Sequence, residues 1–138
     1  MTEIKCTATN VGPTVFSADV NGFKLLADAP PSAGGTGAAM TPPQAQVAIL
    51  ANCMGLMIGI ACKNKDVGYQ GMSVEATAVL NSKTHCLGNF KVKVHMPGVI
   101  SDRCRRTVKA AAEMCAIENT ICAVGSVEVS LVEQETAA

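Results

Sequence analysis

The amino-terminal part of the chain alternates apolar and polar positions with a period of two, which is typical of β-strands. "EIKCTATN" forms one such run, and "PTVFSADVNGFKLLADAP" contains two runs joined by the hairpin signal Asn21-Gly22. The pattern therefore predicts strands within residues 1–30. It stops at "PPSAGGTGAAMTPP", which is too rich in glycine and proline for a helix or a strand. Residues 31–41 are predicted to form a loop that is mobile or is ordered by a partner chain.

The following segment, "VAILANCMGLMIGIACKNK", is apolar on almost every side. Thr41 fits the N-cap of a helix and Pro42 fits its first position, where the missing N–H costs nothing. A helix over residues 42–64 should therefore be enclosed on several sides. We predict a buried central helix and no membrane span, because the apolar run is short for a bilayer. Gly55 and Gly59 share one face, where we expect another backbone to approach closely.

The second half of the chain returns to alternation before a helical pattern begins. Residues 69–95 predict two strands, and residues 101–122 predict an amphipathic helix followed by a short helix. "SVEVSLVE", within residues 125–133, predicts a last strand. The order indicates a single α+β domain over residues 1–138 with antiparallel pairing. One small domain has too little sheet to cover an all-round apolar helix. We therefore predict a homodimer whose sheets wrap around two long central helices.

Composition narrows the classes of partner. The 138 residues carry 11 basic and 11 acidic side chains, so no net field attracts nucleic acid or an anionic membrane surface. Aromatic residues are 3% of the chain and tryptophan is absent, which leaves no platform for stacking bases or sugars. The basic cluster of Arg103, Arg105, Arg106 and Lys109 is interpreted as a solvated helix face, with nucleic acid or an acidic partner as the alternative.

The seven cysteines do not indicate a disulfide scaffold. Their number is odd, they lie mostly inside periodic segments, and the chain begins "MTEIKC" with no basic-then-apolar leader. We therefore expect a reduced, cytoplasmic protein. No C-x-x-C pair is present and "THC" has no spaced partners, so we expect neither a metal nor a cofactor.

Two cysteines stand out by context. Cys53 lies in the middle of the apolar run, and Cys115 ends the apolar face of the second helix, directly before "AIENTI". Cys115 therefore fits the N-cap of the short helix, whose N–H groups and dipole would stabilise a thiolate there. The alternative is that both are small core residues. Cys104 shares a face with Cys115 and is expected in the core. The other four cysteines are assigned to packing: Cys6, Cys62, Cys86 and Cys122.

Two long stretches resemble the signatures of the OsmC/Ohr family, named for osmotically inducible protein C and organic hydroperoxide resistance protein. They are "GGTGAAMTPPQAQVAILANCMG", a glycine loop and a cysteine-bearing helix, and "HMPGVISDRCRRTVKAAAEMCAIENTI", a polar helix that runs into a cysteine. The resemblance implies an OsmC-like, intertwined homodimer that reduces organic hydroperoxides. It assigns Cys53 as the peroxidatic cysteine and Cys115 as the resolving cysteine, and it implies a dithiol reductant such as a lipoyl protein.

The chain departs from the family pattern around the reactive thiol. Peroxidase members use an arginine from the N-terminal strands and a glutamate before the central helix. Here Pro43 stands at the glutamate position, and all three arginines fall in the second helix. Lys5, Lys24 or a partner residue would have to supply the charge. A second interpretation therefore stays open: a family relative without peroxidase activity, such as a thiol redox sensor, a sulfur-handling protein or a binder of small apolar molecules.

Overall fold

The structure, a computed structural model, describes residues 1–123 and Glu128 of the chain. Apart from Glu128, the predicted last strand at residues 125–133 lies outside the described residues. Antiparallel sheets and helices build an α+β fold, which confirms the predicted fold class. The strands are β1 (Thr7–Asn10), β2 (Phe16–Val20), β3 (Phe23–Ala27), β4 (Ser73–Asn81) and β5 (Cys86–His95). The helices are α1 (Pro42–Asn64), α2 (Asp102–Ala112) and α3 (Ala116–Cys122).

The first sheet is an antiparallel meander in the order β1-β2-β3. Its second hairpin turns at Asn21 and Gly22, whose φ angles of 53° and 84° fit the predicted turn. β1 begins only at Thr7, so the residues before it do not extend the sheet as the alternation predicts. The strands pack mainly on one another rather than on the helices. Large apolar side chains consequently stay exposed on this sheet in the single chain: Phe16, Phe23, Leu25 and Leu26.

Asp28, directly after β3, orders the glycine-rich loop from within the same chain. One oxygen of its buried carboxylate accepts hydrogen bonds from the Thr14 hydroxyl at 2.6 Å and the Ala29 N–H at 2.7 Å. The other accepts from the N–H groups of Thr36 and Ala38, both at 3.1 Å, and from the Thr36 hydroxyl. The hydroxyls of Thr14 and Thr36 hold the pKa of Asp28 well below its usual range. The expectation of a mobile or partner-ordered loop is therefore wrong, because the loop folds around a carboxylate of its own chain.

Gly35 shows how closely this loop folds. A Cβ atom at this position would overlap the carbonyl oxygen of Ala29, so no side chain fits. The Gly35 N–H instead donates to the carbonyl oxygen of Pro30 at 3.0 Å, and the Asp28 N–H donates to that of Met40 at 3.1 Å. The two ends of the loop therefore lie next to each other, and α1 begins directly after the loop.

A capping box starts α1 at Thr41, the predicted N-cap. The Thr41 hydroxyl accepts the Gln44 N–H at 3.4 Å, and the Gln44 side-chain oxygen accepts the Thr41 N–H at 2.9 Å. Pro42 takes the first helical position, where an N–H would have no partner within the helix. The helix then continues for 23 residues, which is about 35 Å at 1.5 Å per residue.

α1 is buried along one face and exposed along another. Its buried side chains face β4, α2 and α3: Ala45, Leu50, Met54, Ile58 and Cys62. On the outer side, Leu56 and Ile60 are 64% and 53% exposed. Within the single chain the described residues leave this outer side uncovered, and the predicted enclosure, which included a partner subunit, stays a prediction. By length and by a mean hydropathy of 1.9, α1 also qualifies as a candidate membrane span, a property that core helices of soluble proteins share.

Gly55 and Gly59 of α1 face side chains rather than a second backbone. A Cβ atom at Gly55 would lie 3.5 Å from Cγ2 of Val74, and one at Gly59 would lie 3.5 Å from Cε2 of Tyr69. Both separations are ordinary van der Waals contacts. Within the described part of the chain, the expected close approach of a second backbone is therefore wrong.

The hairpin of β4 and β5 covers the inner face of α1. Val74 pairs with Val94 across the two strands, and both side chains pack against the core around α1. The side chains of Lys91, Lys93 and His95 are exposed on the opposite face, as the alternation predicts. The hairpin thus holds α1 from one side, while α2 and α3 hold it from another.

A candidate thiol site between two helices

Cys53 and Cys115 meet where α1 packs against the start of α3. Cys115 is fully buried and forms the N-cap of α3, with an extended backbone at φ −68° and ψ 112°. Its sulfur accepts the Glu118 N–H at 3.4 Å. Cys53 is half-buried and packs against the same core cluster. The structure thus brings the two predicted site residues together, and it places Cys115 at the predicted N-cap.

Helix α3 presents its first N–H groups to Cys53. Hydrogen bonding from the Ile117 N–H lowers the pKa of Cys53, and bonds from the Cys115 side chain and the Ala116 N–H lower it further. Partial burial acts in the opposite direction, but the net pKa lies below that of an ordinary cysteine. Cys53 is therefore the member of the pair that more readily becomes a thiolate.

Cys115 shifts in the opposite direction. Burial raises the pKa of Cys115, and its hydrogen bond to Cys53 raises it further, against the N–H groups of Glu118 and Ile117. The expectation that the start of α3 favours a thiolate on Cys115 is therefore wrong in its net sign, because full burial outweighs the N–H donors. The pair is divided: Cys53 carries the charge more easily, and Cys115 keeps its proton.

Backbone groups, rather than a side-chain cation, produce the shift at Cys53. Among residues 1–123, no lysine or arginine contributes to the lowering of its pKa. Lys24 instead pairs with Asp19 at 3.2 Å on the exposed first sheet. Arg103 of α2 donates to the carbonyl oxygen of Lys65 at 2.7 Å, next to the end of α1. The cation that the family resemblance leads one to expect is thus replaced, in the single chain, by peptide dipoles.

An apolar groove of about 390 Å³ opens beside the pair. Ile49, one turn before Cys53 on α1, lines this groove, and so does Ile117, whose N–H acts on the Cys53 sulfur. Leu25 of β3 and Ile121 of α3 form further walls. Cys53 is not itself a lining residue, but it lies one helical turn beyond Ile49 and next to the Ile117 N–H. An apolar molecule in the groove would therefore approach the thiol that has the lowered pKa.

The remaining cysteines divide by exposure. Cys62 and Cys104 are buried, as predicted, whereas Cys6, Cys86 and Cys122 are exposed in the single chain. Packing is the wrong role for these three because Cys6 precedes β1, Cys86 begins β5 and Cys122 ends α3, all outside the core. All seven thiols are free. Within the described ranges, no group of three His, Cys, Asp or Glu side chains is placed to hold a metal ion.

These features define a class: an α+β protein built on one long apolar helix, with two adjacent thiols of opposite pKa shift. A family model described as OsmC-like protein matches residues 35–131, more than half of the chain. The chain belongs to the OsmC-like protein family. A sequence search of curated proteins finds no match.

Solved structures share this fold at low sequence identity. A protein from Psychrobacter arcticus 273-4, named for osmotic stress and detoxification response, aligns with a TM-score of 0.75 and 20% identity over 87% of this chain and 89% of its own. The OsmC-like protein of Mycoplasma pneumoniae aligns with a TM-score of 0.69 and 18% identity over 89% of both chains. The organic hydroperoxide resistance protein OsmC of Legionella pneumophila aligns with a TM-score of 0.57 and 22% identity over 88% of this chain and 90% of its own. At such identities, the likeness establishes the fold.

Sequence reasoning missed the donors that act on Cys53. A cysteine at an N-cap signals that the next N–H groups, those of Ala116 and Ile117, are free of helical partners. Which thiol they reach depends on how α1 crosses α3, and the sequence does not state that crossing. The role of Asp28 was also missed, although the glycine and threonine run at residues 34–37, six residues further on, was the available signal.

Proposed function

We propose that this protein is a thiol peroxidase that reduces organic hydroperoxides, with Cys53 as the peroxidatic and Cys115 as the resolving cysteine. The observation that carries the proposal is that Cys53 packs beside Cys115 at the start of α3, where Cys115 is the N-cap. The directions of the pKa shifts, lowered at Cys53 and raised at Cys115, support it. A reactive thiolate beside a second, protonated thiol is the arrangement that a peroxide-reducing disulfide cycle requires.

The proposed cycle begins when the Cys53 thiolate attacks the hydroxyl-bearing oxygen of the hydroperoxide. The O–O bond breaks, an S–O bond forms, and Cys53 becomes a sulfenic acid while the alkoxide takes the Cys115 proton and leaves as an alcohol. The Cys115 thiolate then attacks the Cys53 sulfur, and hydroxide leaves and is protonated by solvent to water. An external dithiol reduces the resulting disulfide by thiol exchange and is itself oxidised.

The apolar groove supports an organic substrate over hydrogen peroxide, because an alkyl group gains from leaving water beside Ile49, Ile117 and Leu25. The Legionella pneumophila relative carries organic hydroperoxide resistance in its name, which supports the same substrate class. Since the cycle consumes a dithiol such as a dihydrolipoyl group, we place this chemistry in the reducing cytoplasm.

Turnover is tested with cumene hydroperoxide and dihydrolipoamide. Cys53→Ser should abolish peroxide consumption, whereas the matched control Cys122→Ser, which removes an exposed thiol at the far end of α3, should leave it intact. After oxidation without reductant, trypsin should release residues 25–63 linked to residues 110–138, with the bridge assigned by fragmentation to Cys53 and Cys115. Equal turnover by wild type and Cys53→Ser would refute the proposal.

We also propose that the protein works as a homodimer, because the single chain exposes a large apolar surface. Phe23 of the first sheet is 83% exposed, and Leu56 on the outer face of α1 is 64% exposed. Soluble monomers rarely leave large apolar surfaces uncovered. Sedimentation should give a molecular mass of about twice the 14.2 kDa of one chain. Leu56→Asp should dissociate the dimer and the surface control Lys91→Asp should not; a wild-type monomer at micromolar concentration would contradict the assembly.

A second function, without peroxidase turnover, is also supported by a specific observation. Pro43 occupies the position at which the family resemblance expects a glutamate, and no side-chain cation acts on Cys53 in the described part of the chain. A redox sensor or a binder of small apolar molecules would need the groove and the thiols without fast turnover. Reversible oxidation to the Cys53–Cys115 disulfide, combined with negligible steady-state peroxide consumption, would favour that alternative.

A further inference from the structure

One face of α1 runs from the groove to the reactive sulfur. Gln46, Ile49 and Cys53 are spaced by three and four residues, so their side chains lie along a single stripe of the helix. Gln46 and Ile49 line the apolar groove, and Cys53 lies one helical turn beyond Ile49, outside the lining itself. Gln46 and Cys53 are seven residues apart, which places them about 10 Å from each other along the helix axis. A molecule that extends from the groove past Ile49 would therefore reach from Gln46 to Cys53.

Gln46 differs in chemistry from its surroundings. The groove is walled mainly by aliphatic side chains, such as Leu25, Ile117 and Ile121. The one other polar residue in its lining is Thr120 of α3, whose hydroxyl already donates to the Ala116 carbonyl oxygen at 2.7 Å. The exposed Gln46 side chain makes no hydrogen bond to any residue that the structure describes. Its amide thus offers a free donor and a free acceptor at the outer part of an otherwise apolar site.

We propose that Gln46 determines substrate preference by binding a polar group at the distal end of the hydroperoxide. The preferred substrate is then an amphiphilic hydroperoxide: a reactive O–OH at one end, an apolar body, and a hydroxyl or carbonyl oxygen at the other end. A body of about six to eight carbons spans the axial separation of about 10 Å between Gln46 and Cys53. The inference rests on the proposed function for the chemistry at Cys53, and on the groove alone for binding.

The kinetic test compares 7-hydroxyheptyl hydroperoxide with heptyl hydroperoxide in wild type, Gln46→Leu and Asn52→Leu. Asn52 is the matched control, since it lies on α1 but lines a different cavity. Wild type should prefer the hydroxylated substrate, and Gln46→Leu should lower the ratio of the two kcat/KM values by about 2- to 10-fold through the loss of one hydrogen bond. Asn52→Leu should leave the ratio unchanged. An unchanged ratio in Gln46→Leu would overturn the assignment.

A binding arm works without turnover and separates this inference from the peroxidase proposal. In Cys53→Ser protein, 1,7-heptanediol should bind more tightly than 1-heptanol by NMR titration, and adding Gln46→Leu should remove the difference. If this holds while no variant consumes peroxide, the peroxidase proposal fails and the Gln46 site stands as a ligand site. If the diol and the alcohol bind equally in both backgrounds, the role of Gln46 is refuted even where turnover is observed.

Discussion

Replacing Ala116 by proline removes one N–H from the thiol site with little change elsewhere. Ala116 is the first residue of α3, a position that proline tolerates because its φ is already helical and no helical partner is lost. The preceding Cys115 has an extended backbone, as the residue before a proline requires. The Ala116 side chain is exposed, so the ring meets no core residue. The same change at Ile117 is less clean, because it would also alter the groove.

The size of the effect follows from one hydrogen bond to a developing thiolate. A net hydrogen bond is worth about 0.5–1.5 kcal/mol, and one pKa unit corresponds to about 1.4 kcal/mol, so Ala116→Pro should raise the pKa of Cys53 by roughly 0.4 to 1 unit. We expect the lower half of this range. The Ala116 N–H contributes less than the Ile117 N–H, and the half-buried sulfur keeps some contact with water.

The assay follows the alkylation rate of Cys53 by iodoacetamide as a function of pH, with the modified residue identified by mass spectrometry. Ala116→Ser is the matched control, because it changes the side chain and keeps the N–H. The proline variant should titrate at higher pH than both the wild type and the serine variant. The same titration midpoint in all three proteins would show that the start of α3 does not act on Cys53, and the assignment of the thiolate to Cys53 would lose its physical cause.

Two further substitutions test the loop that leads to α1. Gly35→Ala should destabilise the protein by about 1–3 kcal/mol in urea denaturation, because the added methyl group overlaps a backbone carbonyl; Gly68→Ala, where a Cβ meets nothing within 4 Å, is the control. Asp28→Asn should lower stability at pH 7. Since the pKa of Asp28 is lowered on folding, its contribution is present above the unfolded pKa of about 3.9 and is lost as the pH falls through the folded value. The gap between wild type and Asp28→Asn should therefore stay constant above about pH 5 and narrow only below about pH 4; a gap that closes near pH 6 would contradict this account.

Local signals in the sequence were sufficient for the helix starts and the hairpin. Thr41 and Gln44 carry the capping box within four residues, and Asn21-Gly22 specifies its own turn. The sequence did not show in the same way which parts of the protein surround α1. Its composition shows that apolar side chains cover every face, but not which faces the same chain buries. The described chain covers the sides that face the β4–β5 hairpin, α2 and α3, and it leaves Leu56 exposed.

The pair of candidate cysteines was accessible from the sequence through the family resemblance and the helix-cap position of Cys115. The direction of their pKa shifts was not. Both thiols occupy apolar surroundings, and the sequence placed the helix N-terminus at Cys115 alone. Only the packing of α1 against α3 shows that Ile117 directs its N–H to Cys53, while full burial of Cys115 keeps the proton there.

In the proposed cycle, the split between the two thiols would let the site work although no side-chain cation acts on Cys53 in the described part of the chain. An arginine would stabilise the attacking thiolate, and an acid would still be needed to protonate the departing alkoxide. In the proposed cycle, the N–H groups of Ala116 and Ile117 would stabilise the thiolate, and the raised pKa of Cys115 would suit it to protonate the alkoxide. Giving up that proton turns Cys115 into the nucleophile that the next step requires. Burial keeps Cys115 protonated at rest. Within the proposed cycle, Cys115 therefore becomes a nucleophile only after Cys53 has attacked the peroxide.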